Sequence, residues 1–347
     1  MEASFPQPPF AELHLHLRGS MPVDYLARQL AKYPVAEAIR EAPERQRAFF
    51  ARCPNLTLLL NGETRALEAE ELFRYESFEN FLGTYLFTSY FVRSGEDFRA
   101  LVAAVVEGLA AQGTVYAEIT VSVFEYLQQG ILLEEICETL SEASRRRGPT
   151  VRWIVDLVRN IGPTATLDLL QKLIKKRPEG WVGITLGGAE HLYPPAQFQK
   201  TYERAGAEGL RLTVHAGEAL GAWSVRDAVL TLGAERIGHG VRAVEDEAVV
   251  ELLAERQIAL EVCPTGNIAT GVYGSFEEHS LPRLVEAGIP VTLNTDDPTF
   301  FRTSLAQEFE RAREMGISEE RLKAIRRNAF KFAFDRSAAD EAMNRER

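Results

Sequence analysis

The chain has 347 residues, and its 46% hydrophobic and 26% charged composition is typical of a globular protein with a large core, which we expect to form one domain over residues 1–347. Its 39 Lys and Arg residues against 50 Asp and Glu residues give a net charge of -11, which disfavours binding to nucleic acid or an anionic membrane and favours a small-molecule substrate. Three widely separated cysteines, Cys53, Cys137 and Cys263, form no C-x-x-C pair, which argues against a disulfide framework and a thiolate metal site and favours a reducing cytoplasm.

The first residues give no sign of export or membrane insertion. The segment from Met1 to Pro9 lacks the basic region and the apolar run of a signal peptide. No apolar stretch approaches the roughly 18 residues that a membrane span needs. We therefore expect a cytoplasmic protein.

Short β-branched runs alternate with amphipathic stretches along the chain, which predicts a parallel sheet with helices packed on it. The amphipathic stretches include Glu134–Arg147, Thr164–Lys176, Pro195–Ala207, Val225–Leu232 and Asp246–Arg256. The eight predicted strands are Ala11–Leu17, Thr114–Val121, Thr150–Leu157, Trp181–Leu186, Arg211–His215, Arg236–His239, Ile258–Val262 and Pro290–Asn294. This number and alternation indicate an α/β fold of the (β/α)8 TIM barrel type.

Such a barrel occupies about 250 residues, and most of the surplus lies between the first two predicted strands. Residues 21–112 are therefore expected to form a helical insertion, with helical patterns that include Ala66–Phe73 and Phe98–Ala111. Aromatic residues cluster between these two patterns: Tyr75, Phe78, Phe81, Tyr85, Phe87, Tyr90 and Phe91. They are expected to pack the insertion onto the barrel, and a hydrophobic lid over an active site is the alternative.

Metal-compatible residues occur where three of the predicted strands end. His14 and His16 are two apart on a strand, so both imidazoles project to the same face. His215 ends a second strand, and Asp296 follows a third. Three neutral nitrogens and one carboxylate suit zinc with a position left for water, so the sequence predicts one catalytic zinc ion per chain.

Acid and base candidates accompany the predicted ligands. A bound metal ion lowers the pKa of water towards neutrality, and catalysis then needs a proton carrier. Glu218 is three residues after His215 and is predicted to shuttle protons, although a carboxylate favoured by a helix N-terminus is the alternative. His239, flanked by two glycines, is predicted to orient the attacking water, and Asp297 is expected to face substrate beside Asp296.

These residues lie within five phrases that resemble the adenosine deaminase family over residues 10 to about 335. The phrases are His-Leu-His-Leu-x-Gly-Ser, His-Ala-Gly-Glu, Arg-Ile-Gly-His-Gly, Cys-Pro-Thr-x-Asn and Leu-Asn-Thr-Asp-Asp-Pro. The resemblance implies a (β/α)8 barrel with zinc on His14, His16, His215 and Asp296, and hydrolysis at C6 of a 6-aminopurine with loss of ammonia. It also implies that Glu218 protonates N1, that His239 and Asp297 position water, that Asp297 meets N7, and that the Gly188 N–H meets N3.

Three positions depart from the pattern of that family. Thr185 stands where the family more often has Asp, so a hydrogen bond that orients a ligand is expected to change. Gly266 stands where Ser is usual, which could enlarge the pocket or merely relax a loop. The residue pair Thr185 and Leu186 also offers no bridging lysine at strand four, which favours one metal ion over two.

The third departure, Arg18, bears on the substrate. Family members carry an acidic residue there that binds the ribose 5′-hydroxyl, and a donor-only guanidinium cannot accept that proton. An arginine at the pocket mouth favours an anionic 5′ extension, such as that of 6-amino-6-deoxyfutalosine in a menaquinone route, with Phe78 or Tyr85 over its aryl ring. A solvated surface arginine is the alternative for the residue. Adenosine, adenine and an adenylate-like nucleotide are the alternative substrates.

Two other classes of protein remain possible from the residues alone. A glycosidase would use paired carboxylates, and candidates near strand ends are Glu118, Asp156, Glu218 and Glu261. A non-catalytic nucleoside-binding barrel is the other class, although binding alone does not require a proton shuttle such as Glu218. His191 and His279 have no ligand-like neighbours and are expected to be structural or to lie near the pocket. The oligomeric state is left open.

Overall fold

Eight parallel strands form the centre of the protein in a computed structural model, which describes residues 9–40, 42–62, 72–75 and 77–345. Each strand is hydrogen-bonded to the next in chain order. A backbone bridge between Leu15 and Asp296 joins the first strand to the residues that follow the last. The strands are β1 (Phe10–His16), β2 (Thr114–Val121), β3 (Thr150–Asp156), β4 (Trp181–Thr185), β5 (Arg211–Ala216), β6 (Arg236–His239), β7 (Ala259–Val262) and β8 (Val291–Leu293).

All eight strand predictions are confirmed to within one residue at either end, and the α/β barrel is the observed fold. The strands are buried almost throughout because helices cover the outside of the sheet. From β2 onwards the helices are α7 (Val123–Gln128), α8 (Leu133–Arg145), α9 (Gly162–Lys176), α10 (Gln199–Ala207), α11 (Ala222–Leu230), α12 (Glu247–Arg256), α13 (Pro264–Ala269), α14 (Leu281–Glu286), α15 (Pro298–Phe301), α16 (Leu305–Glu314), α17 (Glu319–Lys331) and α18 (Arg336–Arg345).

Short 3-10 segments supplement these helices at Pro54–Leu56, Ser89–Phe91, Arg159–Ile161, Pro195–Phe198 and Val241–Glu245. The predicted helix Pro195–Ala207 is thus a 3-10 turn followed by α10. The predicted helix Val225–Leu232 begins three residues earlier, at Ala222. Among the described residues, no helix is both long and apolar enough to cross a bilayer.

Further helices occupy the segment between β1 and β2. They are α1 (Val23–Lys32), α2 (Val35–Ala38), α3 (Glu44–Phe50), α4 (Thr57–Leu60), α5 (Phe78–Thr88) and α6 (Gly95–Ala111). The predicted helix Phe98–Ala111 lies within α6, whereas most of the predicted helix Ala66–Phe73 lies outside the described residues.

Aromatic side chains connect this segment to the barrel beside the end of β8. The ring of Phe81 lies 4.9 Å from that of Phe301, and the ring of Tyr85 lies 5.3 Å from that of Phe300. Phe300 and Phe301 belong to α15, which begins directly after Asp297. The aromatics therefore pack the segment against the edge of the barrel where the predicted site residues lie.

A buried ionic network fills the barrel interior below that edge. Arg236 on β6 donates from Nη2 to Glu118 on β2 and from Nε to Glu261 on β7, each over 2.6 Å. Its Nη1 donates to the carbonyl of Phe332, and its guanidinium lies 3.6 Å over the ring of Phe334. One side chain thus ties three strands to the residues that follow α17.

We expect Arg236→Gln to lower the free energy of unfolding by about 3–5 kcal/mol, because it leaves two carboxylates buried without their cation. The matched control is Arg145→Gln, which removes an exposed ion pair with Glu179 and should cost less than about 1 kcal/mol. Urea denaturation followed by circular dichroism measures both values. Equal losses would contradict a central role for the Arg236 network.

Candidate metal centre

Four side chains converge at the carboxyl edge of the sheet. One potential ligand atom from each of His14, His215, His239 and Asp296 lies within 4.8 Å of the others. His16 joins them, because its Nε2 lies 3.2 Å from His215 Nε2 and 3.2 Å from Asp296 Oδ1. The structure therefore brings the four predicted ligands together and places His239 beside them.

Unusual backbone conformations aim two of these side chains. Asp296 has φ of 61° and His239 has φ of 60°, in the left-handed region that costs non-glycine residues about 1–3 kcal/mol. The Asp296 N–H donates to the His14 carbonyl, and the His16 N–H donates to the Asp296 carbonyl. These two bonds hold the strained residue between the two histidines of β1.

The hydrogen bonds of His14 leave a nitrogen free for a metal ion. Its Nδ1 lies 2.8 Å from Glu261 Oε2, so the imidazole donates there and the Nε2 of the neutral ring keeps a lone pair. That Nε2 is buried without a hydrogen-bond partner and lies 3.5 Å from Asp296 Oδ1. Gly238 makes room for the ring, since a Cβ at that position would lie 2.9 Å from His14 Cε1.

The electrostatics of the cluster also suit a cation. Although burial opposes ionisation, the nearby imidazoles of His14 and His16 hold the pKa of Asp296 well below its usual range. Burial, together with the neighbouring imidazoles, lowers the pKa of His215, so this ring is neutral. Although burial opposes the charge, the carboxylates of Asp296 and Glu261 raise the pKa of His14 to about 10, so a metal ion would take the place of the proton on its Nε2. Neutral imidazoles beside an ionised carboxylate fit a transition metal.

Two departures from the family pattern lie in direct contact with this cluster. Thr185 Oγ1 lies 2.9 Å from His215 Nδ1, so a hydroxyl takes the place of the usual carboxylate there. A Cβ on Gly266 would lie 3.2 Å from Asp296 Oδ2 and 3.1 Å from Phe301 Cε2. A larger residue at 266 would therefore crowd a predicted ligand.

Glu218 lies beside the cluster on a loop held by another carboxylate. Glu190 accepts hydrogen bonds from the backbone N–H groups of Gly217, Ala219 and Leu220 at 2.8–2.9 Å. Glu218 Oε2 lies 3.5 Å from His239 Nε2, and desolvation with the nearby charges of Asp296 and Glu190 raises the pKa of Glu218 to about 8. Glu190 was not among the residues predicted from the sequence, where an acidic side chain shortly after Gly187 and Gly188 was the available signal.

Asp297 and Gly188 each have a polar group with no hydrogen-bond partner among the described residues. Asp297 Oδ1 is buried without a hydrogen-bond partner, and burial beside Asp296 raises the pKa of Asp297 to about 7. Gly19 must be glycine, since a Cβ there would overlap that carboxylate. The N–H groups of Gly187 and Ala189 donate to Asp156 and Asn160, whereas no bond from the Gly188 N–H is found among the described residues.

Arg18 is buried rather than solvated, with 3% of its surface exposed. Its Nη2 donates to Glu125 Oε1 over 2.9 Å, its guanidinium lies 3.7 Å over the ring of Tyr85, and its Nε has no hydrogen-bond partner. Glu125 was not predicted from the sequence as a partner of Arg18, because it lies 107 residues away on α7. The side chain of Phe78, the other residue predicted to cover a substrate ring, lies outside the described residues.

The carboxylates that a glycosidase would need are engaged elsewhere. Glu118 and Glu261 are bound to Arg236, and Asp156 accepts hydrogen bonds from the N–H groups of Val158 and Gly187. Of the four candidates, Glu261 contacts His14 of the cluster from the barrel interior, and Glu218 lies beside His239. Of the two remaining histidines, His191 is exposed, whereas His279 is buried near His239.

Comparisons with known proteins agree with this geometry. A family model described as adenosine deaminase matches residues 61–345. An adenine deaminase of Sinorhizobium medicae is 35% identical over 329 residues, which cover 93% of this chain and 93% of the relative. An aminodeoxyfutalosine deaminase of Streptomyces avermitilis is 34% identical over 333 residues, which cover 94% of this chain and 86% of the relative. The crystal structure of an adenine deaminase from Arthrobacter aurescens superposes with a TM-score of 0.82 at 26% identity, covering 98% of this chain and 99% of that one.

We expect Thr185→Val to weaken zinc binding by about 10–100-fold, because His215 loses the partner that orients its ring. Competition with a chromophoric chelator measures the zinc affinity. The matched control is Thr139→Val, which changes a buried threonine of α8 that bonds only to its own helix. Equal affinities for the two variants would show that Thr185 does not support the metal site.

Proposed function

This chain belongs to the adenosine deaminase family and is a deaminase, a hydrolase acting on C–N bonds, and we propose that it removes the 6-amino group of a purine compound as ammonia. The observation that carries the proposal is the glutamate Glu218 standing beside a buried cluster of histidines and one aspartate. In the proposal His14, His16, His215 and Asp296 hold one zinc ion. When bound, such an ion polarises water so that it ionises near neutral pH.

The other residues bind the purine and move protons. With a pKa of about 8, Glu218 is largely protonated at neutral pH and can give a proton to N1 of the ring. Asp297, whose Oδ1 has no hydrogen-bond partner among the described residues, faces N7 and helps His239 to position the water. The free N–H of Gly188 meets N3. The purine is thus held along its edge while protons reach the side where the amino group leaves.

The proposed substrate is a nucleoside with a modified 5′ end, such as 6-amino-6-deoxyfutalosine. Support comes from buried donors near Asp297, since both Arg18 and Tyr75 interact electrostatically with its carboxyl group. In the part of the chain that the structure describes, the Nε of Arg18 and the hydroxyl of Tyr75 are buried and have no hydrogen-bond partner. A bound carboxylate or extension oxygen would satisfy such donors. The aminodeoxyfutalosine deaminase of Streptomyces avermitilis is among the relatives of this chain.

Adenine is the second candidate substrate. Arg18 is already paired with Glu125, so its charge is balanced without a ligand. The relatives that share 35% identity and the Arthrobacter aurescens structure are adenine deaminases. Under this alternative the Arg18–Glu125 pair closes the space that a ribose would occupy.

Glu218→Gln is expected to lower kcat by about 10²–10⁴-fold, because the amide cannot carry the proton to N1. The zinc content should stay at that of the wild type, since Glu218 is not a proposed ligand. Ammonia release and the ultraviolet change of the purine measure kcat, and elemental analysis measures zinc. Glu203→Gln, on the exposed side of α10, is the control variant. Wild-type protein that binds purines but releases no ammonia would instead support a non-catalytic barrel.

The substrate is determined by comparing kcat/KM for aminodeoxyfutalosine, adenine, adenosine and 5′-methylthioadenosine. We expect the highest kcat/KM for aminodeoxyfutalosine. We also expect Arg18→Ala to lower the kcat/KM for aminodeoxyfutalosine more than the kcat/KM for adenosine. The double variant Arg18→Ala, Glu125→Ala serves as the control, because it does not leave Glu125 buried without its cation. A higher kcat/KM for adenine would favour the second candidate. Equal losses of kcat/KM for both nucleosides in Arg18→Ala would exclude a contact between Arg18 and an anionic group of the substrate.

A further inference from the structure

The tautomer of His279, a buried histidine outside the metal cluster, is determined by its hydrogen-bond partners. The backbone N–H of Leu281, in the first turn of α14, donates to His279 Nδ1 over 3.0 Å. A backbone amide can only donate, so Nδ1 of His279 carries a lone pair and not a proton. The neutral ring therefore has its proton on Nε2.

That proton orients the side-chain amide of Asn267 on α13. His279 Nε2 lies 3.2 Å from Asn267 Oδ1 and donates to it. The amide nitrogen of Asn267 consequently points the other way, where it lies 3.2 Å from His239 Nδ1. Rotating the amide by 180° would turn its N–H groups towards the His279 donor, and both residues are buried from water that could replace the lost bond.

We propose that His279 and Asn267 are positioning residues that hold His239 as its Nε2–H tautomer, with that N–H directed into the site. Because Asn267 donates to Nδ1 of His239, the proton of the neutral ring must sit on the opposite nitrogen. His239 Nε2 lies 3.5 Å from Glu218 Oε2 and within the metal cluster. The inference rests on the proposed deaminase reaction for its catalytic meaning.

The relay gives His239 a role different from that of its neighbours. His14 donates from Nδ1 to Glu261 and so presents a lone pair to the cluster. His239 accepts at Nδ1 and so presents a proton, which a metal ligand cannot do. This assigns His239 as a hydrogen-bond donor to a reacting oxygen and leaves His16 as the third imidazole ligand.

The tautomer is measured by long-range ¹H–¹⁵N correlation spectra of the zinc-loaded protein with ¹⁵N-labelled histidine rings. Six histidines give a small spectrum, and the signals of His239 are identified by their loss in His239→Gln. We expect the ring of His239 to be protonated at Nε2 and unprotonated at Nδ1. The opposite tautomer would overturn the proposal. Since this spectrum needs no substrate, its outcome is independent of whether the proposed reaction is correct.

Variants of His279 test the relay. His279→Leu removes the donor to Asn267, so His239 should populate both tautomers, and kcat should fall by about 10-fold or more with KM nearly unchanged. His279→Gln keeps an N–H at the Nε2 position and should restore the spectrum and kcat. If the Leu and Gln variants matched each other in both readouts, His279 would have no positioning role.

Asn267→Asp provides an independent test if His279→Leu does not fold. Above neutral pH the introduced carboxylate accepts hydrogen bonds only, so it should draw the proton of His239 to Nδ1. We expect the ring spectrum to show the reversed tautomer and kcat to fall by about 10²–10⁴-fold, while zinc content is retained. An unchanged tautomer in this variant would overturn the relay.

Discussion

The carboxylate of Glu261 joins the interior of the barrel to the metal centre. One of its oxygens accepts from Arg236 and the other from His14, over 2.6 and 2.8 Å. Although burial opposes ionisation, these two partners hold the pKa of Glu261 near 2, so the group remains charged within the core. A buried charge is tolerated only when it is paired in this way. The pairing that stabilises three strands thus also determines which nitrogen of His14 faces the cluster.

Local strain at the carboxyl edge of the sheet depends on that stable interior. Asp296 and His239 keep left-handed backbone conformations because neighbouring strands and backbone hydrogen bonds leave no better alternative. Gly19 and Gly238 provide the space that the Asp297 and His14 side chains need. The folding free energy of the barrel therefore compensates for the unfavourable backbone conformations of Asp296 and His239.

The parts of this arrangement that follow local patterns were predictable from sequence. The predicted strand ends agree with the observed ones because buried β-branched runs alternate with segments of helical periodicity along the chain. His14 and His16 share a face because side chains alternate along a strand. The partners of Arg18 and His239 were not predictable, since Glu125 and Asn267 lie on the helices α7 and α13, whose packing no local pattern encodes. The role of Glu190 was missed for the same reason, because its carboxylate binds backbone N–H groups 27 or more residues away.

The histidines of this site differ in the hydrogen-bond partner of their Nδ1 atom. His14 is backed by a carboxylate, His215 by a hydroxyl and His239 by an amide donor. These hydrogen bonds are separate from the ion pair of Arg18 and Glu125, in which the guanidinium of Arg18 lies over the ring of Tyr85. The protonation of each of these three rings is therefore determined by its own hydrogen-bond partner, and Glu125 interacts electrostatically with a fourth ring, that of His16.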